Sequence, residues 1–327
     1  MCRCSLHYSQ INRLTMAVFP LPKVDDMTIR EWSTCTDTIE NTIQFAQTLG
    51  LLPVLPPTPC PNGHDNWYLG KYSRSIDKYQ WRCREKNCKL TRSLRDGTFF
   101  SNSKLELQQI LDLMYYWSQG VDTYDFLQRQ CNFGSKSTIA DWKNFLRDVC
   151  AEHFLRHPAE IGGVGHVVEI DESSWTKRKF NRGRVIKNQW VFGGIDRDTR
   201  ECFAVLVETR DAATLLPIIQ QHVRPGTTIL SDEWRAYHSL QNGPGGYIHQ
   251  TVNHSLHFVD PVTGVHTQNI ENMWMCAKQK KKRMMGMHVS LLDTYLMEFM
   301  WRRRFPERPL ENLIAQIFEL YPVLKLE

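Results

Sequence analysis

The hydrophobic period changes near residue 160, and this change most constrains the fold. From there on, short apolar segments of strand length alternate with longer segments of helical period. A chain with this order buries a sheet against helices and so forms a layered α/β domain. The predicted strands are 166–170, 189–195, 202–208, 227–230 and 247–252, and the predicted helices are 211–223, 267–285 and 289–305.

This order of elements is typical of a ribonuclease H-like catalytic domain, which we assign to residues 160–305. The crossover through helix 211–223 predicts that the third and fourth strands are parallel neighbours. In ribonuclease H-like sheets the first and fourth strands also lie side by side. Their carboxyl ends should therefore meet at the edge where ligands of α/β sheets bind.

Three acidic residues occupy the ends of these elements. Asp171 ends the first strand, Asp232 follows the fourth, and Glu271 lies in the first turn of helix 267–285. Clustered carboxylates need a cation, and ligation by oxygen alone favours Mg²⁺ or Mn²⁺. Two such ions, about 3.5–4 Å apart, would catalyse an in-line phosphoryl displacement there. The alternative is that the aspartates only cap turns, as isolated aspartates at strand ends usually do.

Positive charge is concentrated in two segments, although the net charge of the chain is only +5. Residues 176–187 hold six basic and no acidic residues, and residues 276–304 hold eight basic and two acidic. Such clusters predict a polyanionic partner, and a solvated charged face is the alternative. The candidate DNA-binding residues in these segments are Lys177, Arg178, Lys179, Arg182, Arg184, Lys278 and Lys282.

A second candidate metal site precedes the α/β domain. Residues 55–100 contain Cys60-x3-His64 and Cys83-x4-Cys88, spacings similar to those of tetrahedral zinc sites. One structural Zn²⁺ would explain how a segment so poor in aliphatic residues folds. The alternative is three buried thiols and a surface histidine.

Residues 101–155 have a helical period and form a third region. Helices are predicted from Ser103 to Gly120, over 124–130, and from Ser135 or Ser137 onward. A glycine turn before the last helix favours a helix-turn-helix, with Lys136 and Lys143 as candidate DNA contacts. A plain helical bundle that packs subunits together is the alternative.

The remaining regions are an arm with one helix (1–54) and a C-terminal tail (306–327). No run approaches the roughly 20 apolar residues of a membrane helix, and the start is unlike a secretory signal. The ten cysteines are therefore interpreted as core residues or metal ligands in a reducing compartment. The run 280–283 resembles a nuclear localisation patch. We expect the protein to be located in the nucleus if it comes from a eukaryote, or in the cytoplasm or nucleoid if it comes from a bacterium.

Five motifs of the α/β domain occur together in this chain, namely Asp171-Glu172-Ser173, QWVFGGIDR (189–197), SDEWRAY (231–237), VNHS (252–255) and HTQNIE (266–271). With these motifs the sequence resembles the Merlin superfamily of DDE transposases, eukaryotic relatives of bacterial insertion-sequence transposases with an ISXO2-like domain. The similarity spans about 55–305. Relatives usually have a C-x2-C pair in the first zinc knuckle, whereas this chain has Gly63 and His64 there.

The resemblance implies a Mg²⁺-dependent catalytic triad at Asp171, Asp232 and Glu271, with Trp234 and His254 as active-site neighbours. It also implies double-stranded DNA partners, namely terminal inverted repeats and target DNA, and we expect a homo-oligomer, as a dimer. Two other functions stay open. One is a domesticated DNA-binding derivative, and the other is a ribonuclease H-like nuclease.

Overall fold

The computed structural model describes residues 22–175, 189–232, 235–252, 266–283 and 288–323. The chain divides into two compact units. Unit 1 contains Met1–Val149 together with Glu307–Glu327, and unit 2 contains Cys150–Pro306. The helices and strands are numbered along the chain.

Unit 1 begins with two short helices, where the sequence predicted one. These are α1 (Ile29–Cys35) and α2 (Ile39–Thr48). Thr28 and Glu31 form a capping box that starts α1. The α1 side chain Trp32 is completely buried, and its indole donates to Asp112 at 2.9 Å.

A three-stranded antiparallel sheet follows in the segment that contains the cysteines. It consists of β1 (Trp67–Lys71), β2 (Tyr79–Cys83) and β3 (Thr91–Arg92), in that order. A buried ion pair between Arg95 and Asp77 lies beside it, with both side chains about 95% buried.

Three helices come next, as the sequence predicted. They are α3 (Leu107–Ser118), α4 (Tyr124–Gln130) and α5 (Lys136–Arg156). The predicted bounds of α4 are confirmed, whereas α3 begins later than predicted because Glu106, not Ser103, caps it in a box with Gln109. Gly120 follows α3 with φ +73°, the left-handed conformation that ends many helices.

The predicted C-terminal tail contains a helix, α9 (Pro309–Leu320), that belongs to unit 1. Proline at its first position has no N–H to lose there. The Asp25 carboxylate accepts from the N–H groups of Leu310 and Glu311 at 2.9 and 2.8 Å. The chain's two ends are thus joined within this unit. The buried apolar stripe of α9 is Leu310, Leu313, Ile314 and Ile317.

Unit 2 is built on a five-stranded sheet. Its strands are β5 (Val167–Ser174), β6 (Trp190–Asp196), β7 (Cys202–Val207), β9 (Thr228–Asp232) and β10 (Ile248–Val252). The order is β10-β9-β5-β6-β7. β5 pairs antiparallel with β6 and parallel with β9, so the first and fourth strands are neighbours as predicted. This arrangement confirms the ribonuclease H-like α/β fold.

The predicted pairing of the third and fourth strands is wrong. β7 lies at one edge of the sheet, and β9 pairs with β5 and β10 instead. The crossover helix α6 (Ala212–His222) therefore passes over two strands rather than joining neighbours. Two further helices are α7 (Gln268–Arg283) and α8 (Leu292–Arg304). The two-residue strands β4 (Ile161–Gly162) and β8 (Val223–Arg224) form a small parallel pair.

Among the described residues, no helix is both long and apolar enough to cross a membrane.

Candidate active site and candidate metal centre

Two of the three predicted carboxylates are brought together by strand pairing. In the parallel ladder, Val168 pairs with Ile229 and Glu169 with Leu230. Asp171 and Asp232 each lie two residues beyond the last pair of this ladder, and the negative charge of Asp232 is near enough to raise the pKa of Asp171. β5 runs on to Ser174, so Asp171 lies within the strand rather than at its predicted end.

The surroundings of Asp171 disfavour its charged form. Burial raises the pKa of the Asp171 carboxyl to about 7, and the nearby negative charges of Glu172 and Asp232 act in the same direction. The indole N–H of Trp274 opposes the rise, because it donates to Asp171 Oδ2 at 3.1 Å. A cation beside Asp171 and Asp232 would remove this electrostatic penalty.

Trp274 reaches Asp171 because Gly193 leaves room for it. Gly193 is the β6 partner of Asp171, and a Cβ there would lie 2.7 Å from the Trp274 ring and 2.6 Å from the Phe203 carbonyl oxygen. Any larger residue would push the indole away. Trp274 is 4% exposed. Sequence reasoning missed it, although its position three residues after Glu271 places it on the same side of the helix.

Glu271 lies in the first turn of α7, as predicted, and its side chain is exposed. It lies one helical turn before Trp274. Among the described residues, the clusters of ligand atoms within 4.8 Å of one another do not include Asp171, Asp232 and Glu271 together. The structure therefore brings Asp232 near Asp171 and carries Glu271 on the helix whose Trp274 contacts Asp171.

The carboxylate of Glu169 holds the start of α7. Glu169 is completely buried, and it accepts from Arg197 Nε at 2.7 Å, from Asn269 Nδ2 at 2.7 Å and from the Ile270 N–H at 2.9 Å. It thereby satisfies one of the amide groups that a helix leaves without an intrahelical partner. The sequence offered one signal for it, an acidic residue inside an otherwise apolar strand.

The lysines of α7 differ in their environment. Lys278 Nζ lies 2.5 Å from the hydroxyl of Ser173 and 5.7 Å from the ring centroid of Trp175, at the end of β5. It is partly buried on the strand face that carries Asp171. Lys282 is exposed one turn further along.

A second acidic residue, Glu172, follows Asp171 and has different partners. It accepts from the Tyr237 hydroxyl, and Arg210 lies 3.9 Å from it. Burial raises the pKa of the Glu172 carboxyl. Tyr237 belongs to the turn just after β9, so this contact ties the segment following Asp232 back to β5.

Several predicted site residues lie outside the described residues. They are Lys177, Arg178, Lys179, Arg182, Arg184, Trp234 and His254.

The predicted zinc ligands come together in unit 1. The sulfur of Cys60 lies 3.6 Å from His64 Nδ1 and 3.6 Å from the sulfur of Cys88, and Cys83 lies 3.5 Å from the same His64 nitrogen. Tetrahedral zinc bonds of about 2.3 Å to sulfur and about 2.1 Å to nitrogen require edges of about 3.8 and 3.6 Å. These four side chains could therefore bind zinc.

The backbone around the cluster curls as a metal site requires. Gly63 has φ +77°, and its N–H donates to the Cys60 carbonyl oxygen at 2.8 Å. In the second ligand segment, Cys83–Cys88, a hydrogen bond from the Leu90 N–H lowers the pKa of Cys88 to about 6. This shift favours the thiolate form that binds metals.

One predicted DNA contact on α5 needs correction. Lys143 is 4% exposed, and its amine donates to the Asp122 carbonyl oxygen at 2.7 Å and pairs with the Asp122 carboxylate at 2.6 Å. It is therefore not available to a phosphate. Lys136 is exposed at the start of α5 and pairs with Asp125 at 2.5 Å. Its predicted role remains compatible with its position.

Comparison with known proteins agrees with this geometry. Residues 164–304 match the family model of the ISXO2-like transposase domain. Over 100 residues, the chain is 32% identical to a Haemophilus influenzae protein described as an uncharacterized transposase-like protein. This alignment covers 31% of the chain and 78% of the relative.

Two solved structures resemble the chain more distantly. One is the HTLV-2 integrase catalytic core domain with magnesium in its dimeric form, at 10% identity and TM-score 0.27, covering 42% of this chain and 84% of that one. The other is the simian T-cell lymphotropic virus intasome with the PP2A regulatory subunit B56 gamma, at 14% identity and TM-score 0.28, covering 55% and 68%. Scores this low add no weight to the assignment.

The family model and the bacterial relative define the class of protein, a transposase of the insertion-sequence type. Within that class, the chain belongs to the family with an ISXO2-like transposase domain.

Proposed function

We propose that this chain is a cut-and-paste DNA transposase of the Merlin type. It binds the terminal inverted repeats of its element, cleaves the DNA there and joins the 3′ ends to target DNA. It works as a homo-oligomer, namely a dimer. In a eukaryotic cell it acts in the nucleus.

The observation that carries this proposal is the arrangement of β5, β9 and α7. The pairing of β5 with β9 ends two residues before Asp171 and Asp232, and the negative charge of Asp232 helps to raise the pKa of Asp171. Helix α7 carries Glu271 one turn before the indole that contacts Asp171. These observations support a proposal in which three acidic residues from distant parts of the chain form one metal site.

The donor set fits Mg²⁺ or Mn²⁺, because it consists of carboxylate oxygens and holds two acids that repel each other. Asp171, Asp232 and Glu271 would hold two ions per active site. When bound, such ions stabilise the attacking and leaving oxygens of an in-line phosphoryl displacement and activate the nucleophile.

The chain's own residues orient and bind. The Trp274 N–H donates to Asp171 Oδ2 and so restricts the rotation of the carboxylate. Lys278 is placed to contact a phosphate of the scissile strand. Lys282 and the basic segment 176–187 add nonspecific attraction for DNA.

Unit 1 supplies recognition in this proposal. The Cys60, His64, Cys83 and Cys88 cluster holds one structural Zn²⁺ in a zinc-ribbon-like module. Helices α3 to α5 form a helix-turn-helix-like segment, and the first turn of α5, with Lys136 and Ser137, contacts DNA. The amino-terminal residues of a recognition helix are those that reach base edges.

A cleavage assay with labelled element ends and Mg²⁺ tests the catalytic proposal. Asp171→Ala, Asp232→Ala and Glu271→Ala should each lower cleavage at least ~10³-fold, about 4 kcal/mol of lost transition-state stabilisation. Binding to the ends should stay nearly intact, since it depends on basic groups. Asp198→Ala is the matched control, because Asp198 is an exposed acid in the turn after β6. Near-wild-type nicking by one triad variant would remove that residue from the site.

Elemental analysis tests the structural metal. We expect one zinc per chain and loss of fold in residues 60–100 after chelation, because binding free energy at such sites is folding free energy. Cys83→Ser should lose the metal, whereas Cys35→Ser, in α1, should retain it. Zinc-free protein that stays folded in chelator would contradict the proposal.

A further inference from the structure

We propose that Glu169 is a positioning residue of the active site. It fixes α7 along β5 so that Glu271 is presented beside Asp171 and Asp232. This inference rests on the proposed function, because it takes Glu271 to be a metal ligand.

The carboxylate of Glu169 is built into the junction between β5 and α7. It is 0% exposed, and its three close donors come from Arg197, Asn269 and Ile270. Arg197 also donates to the His266 carbonyl oxygen at 2.8 Å, just before the helix. Three positions at the start of α7, namely 266, 269 and 270, are thus held by Glu169 and its partner Arg197.

Alternate residues of β5 contact successive turns of α7. Two residues of strand rise about 6.6 Å and four residues of helix rise about 6.0 Å, so the two spacings nearly match. Contacts therefore recur in step along both elements. The pairs are Glu169 with Ile270, Asp171 with Trp274, and Ser173 with Lys278.

Of these three contacts, the one at Glu169 sets the register. A slip of α7 by one turn, about 5.4 Å, would leave a fully buried carboxylate without its helix donors. Glu169 accepts a hydrogen bond from the Ile270 N–H, and Ile270 directly precedes Glu271 in α7. The same strand therefore holds one predicted metal ligand and anchors the helix that carries another.

Glu169→Gln tests this role, because the amide keeps the shape but turns an NH2 group toward donors. The measurement is calorimetric titration of Mn²⁺ into the zinc-loaded full chain. We expect Mn²⁺ affinity to fall about 10–100-fold, as is typical when a partner supporting a metal ligand is lost. Glu271→Gln should cause a similar fall.

The double variant separates positioning from general destabilisation. If Glu169 acts through Glu271, Glu169→Gln should weaken Mn²⁺ binding little further in the Glu271→Gln background. Glu298→Gln is the matched control, since Glu298 is 1% exposed in α8 and pairs with Arg302 at 2.8 Å. It should lower the melting temperature and leave Mn²⁺ affinity unchanged.

Wild-type Mn²⁺ affinity in Glu169→Gln, or an additive loss in the double variant, would overturn the inference. If Glu169→Gln does not fold, Asn269→Ala removes one of the three donors and should weaken Mn²⁺ binding in the same direction. An unchanged affinity in that variant would also overturn it. If Glu271→Gln itself binds Mn²⁺ normally, the proposed metal site is what fails.

Discussion

Strand β5 and helix α5 both carry charged residues within apolar patterns, and the structure uses them in opposite ways. On β5 the acidic residues converge with partners from β9 and α7 to form the candidate active site. On α5 the predicted DNA contact Lys143 turns instead toward the core of unit 1, as does Arg147, and they are 4% and 2% exposed.

The difference follows from how each element fixes its faces. A strand has a period of two, and its neighbours in the sheet determine which edge its residues reach. A helix has many faces, and the buried one is identified only by its apolar stripe. Lys143 and Arg147 lie four and eight residues after the buried Ile139, on that same stripe.

The exposed side of α5 differs from a typical DNA-binding surface. Between residues 136 and 148 it carries one basic residue, two acidic residues and an apolar ring, so within that stretch only the first turn is suited to contact DNA. The exposed residues between 136 and 148 are Lys136, Ser137, Asp141, Phe145 and Asp148.

The largest expected effect concerns the charge on β5. The pKa of Asp171 is about 7 in the folded protein, against 3.8 as its ordinary value. The folded state therefore holds a proton that the unfolded state releases, and this contribution is present below pH 4 and lost as pH rises through 7. Without divalent cations, wild type should lose up to about 4 kcal/mol of unfolding free energy relative to Asp171→Asn between pH 4 and pH 8.

Urea denaturation at several pH values measures this difference. Mg²⁺ should stabilise wild type more at pH 8 than at pH 5, since the ion binds the deprotonated carboxylate. If the difference in unfolding free energy between wild type and Asp171→Asn does not change with pH, burial of Asp171 does not disfavour its charged form. The electrostatic difference between β5 and α5 would then be wrong.

A smaller effect is expected from the buried lysine of α5. Lys143→Ala leaves the Asp122 carboxylate, whose side chain is 18% exposed, without its cation. We expect a loss of ~3 kcal/mol in unfolding free energy, the lower end for a broken buried pair. Lys136→Ala should cost less than ~1 kcal/mol, because that pair is exposed.

The two lysine variants are compared by denaturation and by DNA binding. This comparison tests whether Lys143 stabilises the fold or contacts DNA. Lys143→Ala should bind DNA normally at temperatures where it is folded. A stable Lys143→Ala protein with weakened DNA binding would show that the lysine reaches DNA after all.

Much of unit 2 was predictable from sequence. The strand order of first beside fourth, and the elements that carry Asp171, Asp232 and Glu271, followed from period and topology. The pairing of the third and fourth strands was wrong because a crossover fixes strand direction but not how many strands it passes over. The position of Glu169 inside an otherwise apolar strand signals an acid that needs a partner, but nothing local identifies that partner as the start of α7.

Tertiary contacts explain the other differences. The stripe of α9 has a helical period, and Pro309 marks its start, but its status as a tail or a docked helix depends on partners far away in sequence. Asp25, nearly 290 residues earlier, supplies its first hydrogen bonds. Trp274 was missed because its role depends on Gly193, which lies on another strand.

The smallest expected effect concerns the first turn of α5. The Ser137 and Thr138 hydroxyls lie within 2.9 Å of the Ser135 hydroxyl, which also accepts from the Thr138 N–H at 3.2 Å, so they partly serve as a cap. Asn144 is engaged by Arg147. Ser137, which is exposed, is thus better placed than Thr138 or Asn144 to contact DNA.

Ser137→Ala should reduce discrimination between true and scrambled element ends about fivefold, or ~1 kcal/mol, the low end for a base contact. Lys136→Gln should instead weaken binding to both ends alike and lower the salt slope by about one. Phe145→Ser, on the same exposed side but beyond the first turn, should change neither. Competition binding by the full chain at two salt concentrations separates these outcomes. If Phe145→Ser dissociates the oligomer while Ser137→Ala keeps full discrimination, α5 packs subunits together and does not read DNA. The contrast with β5 would then be complete, because no part of the exposed α5 surface would contact nucleic acid.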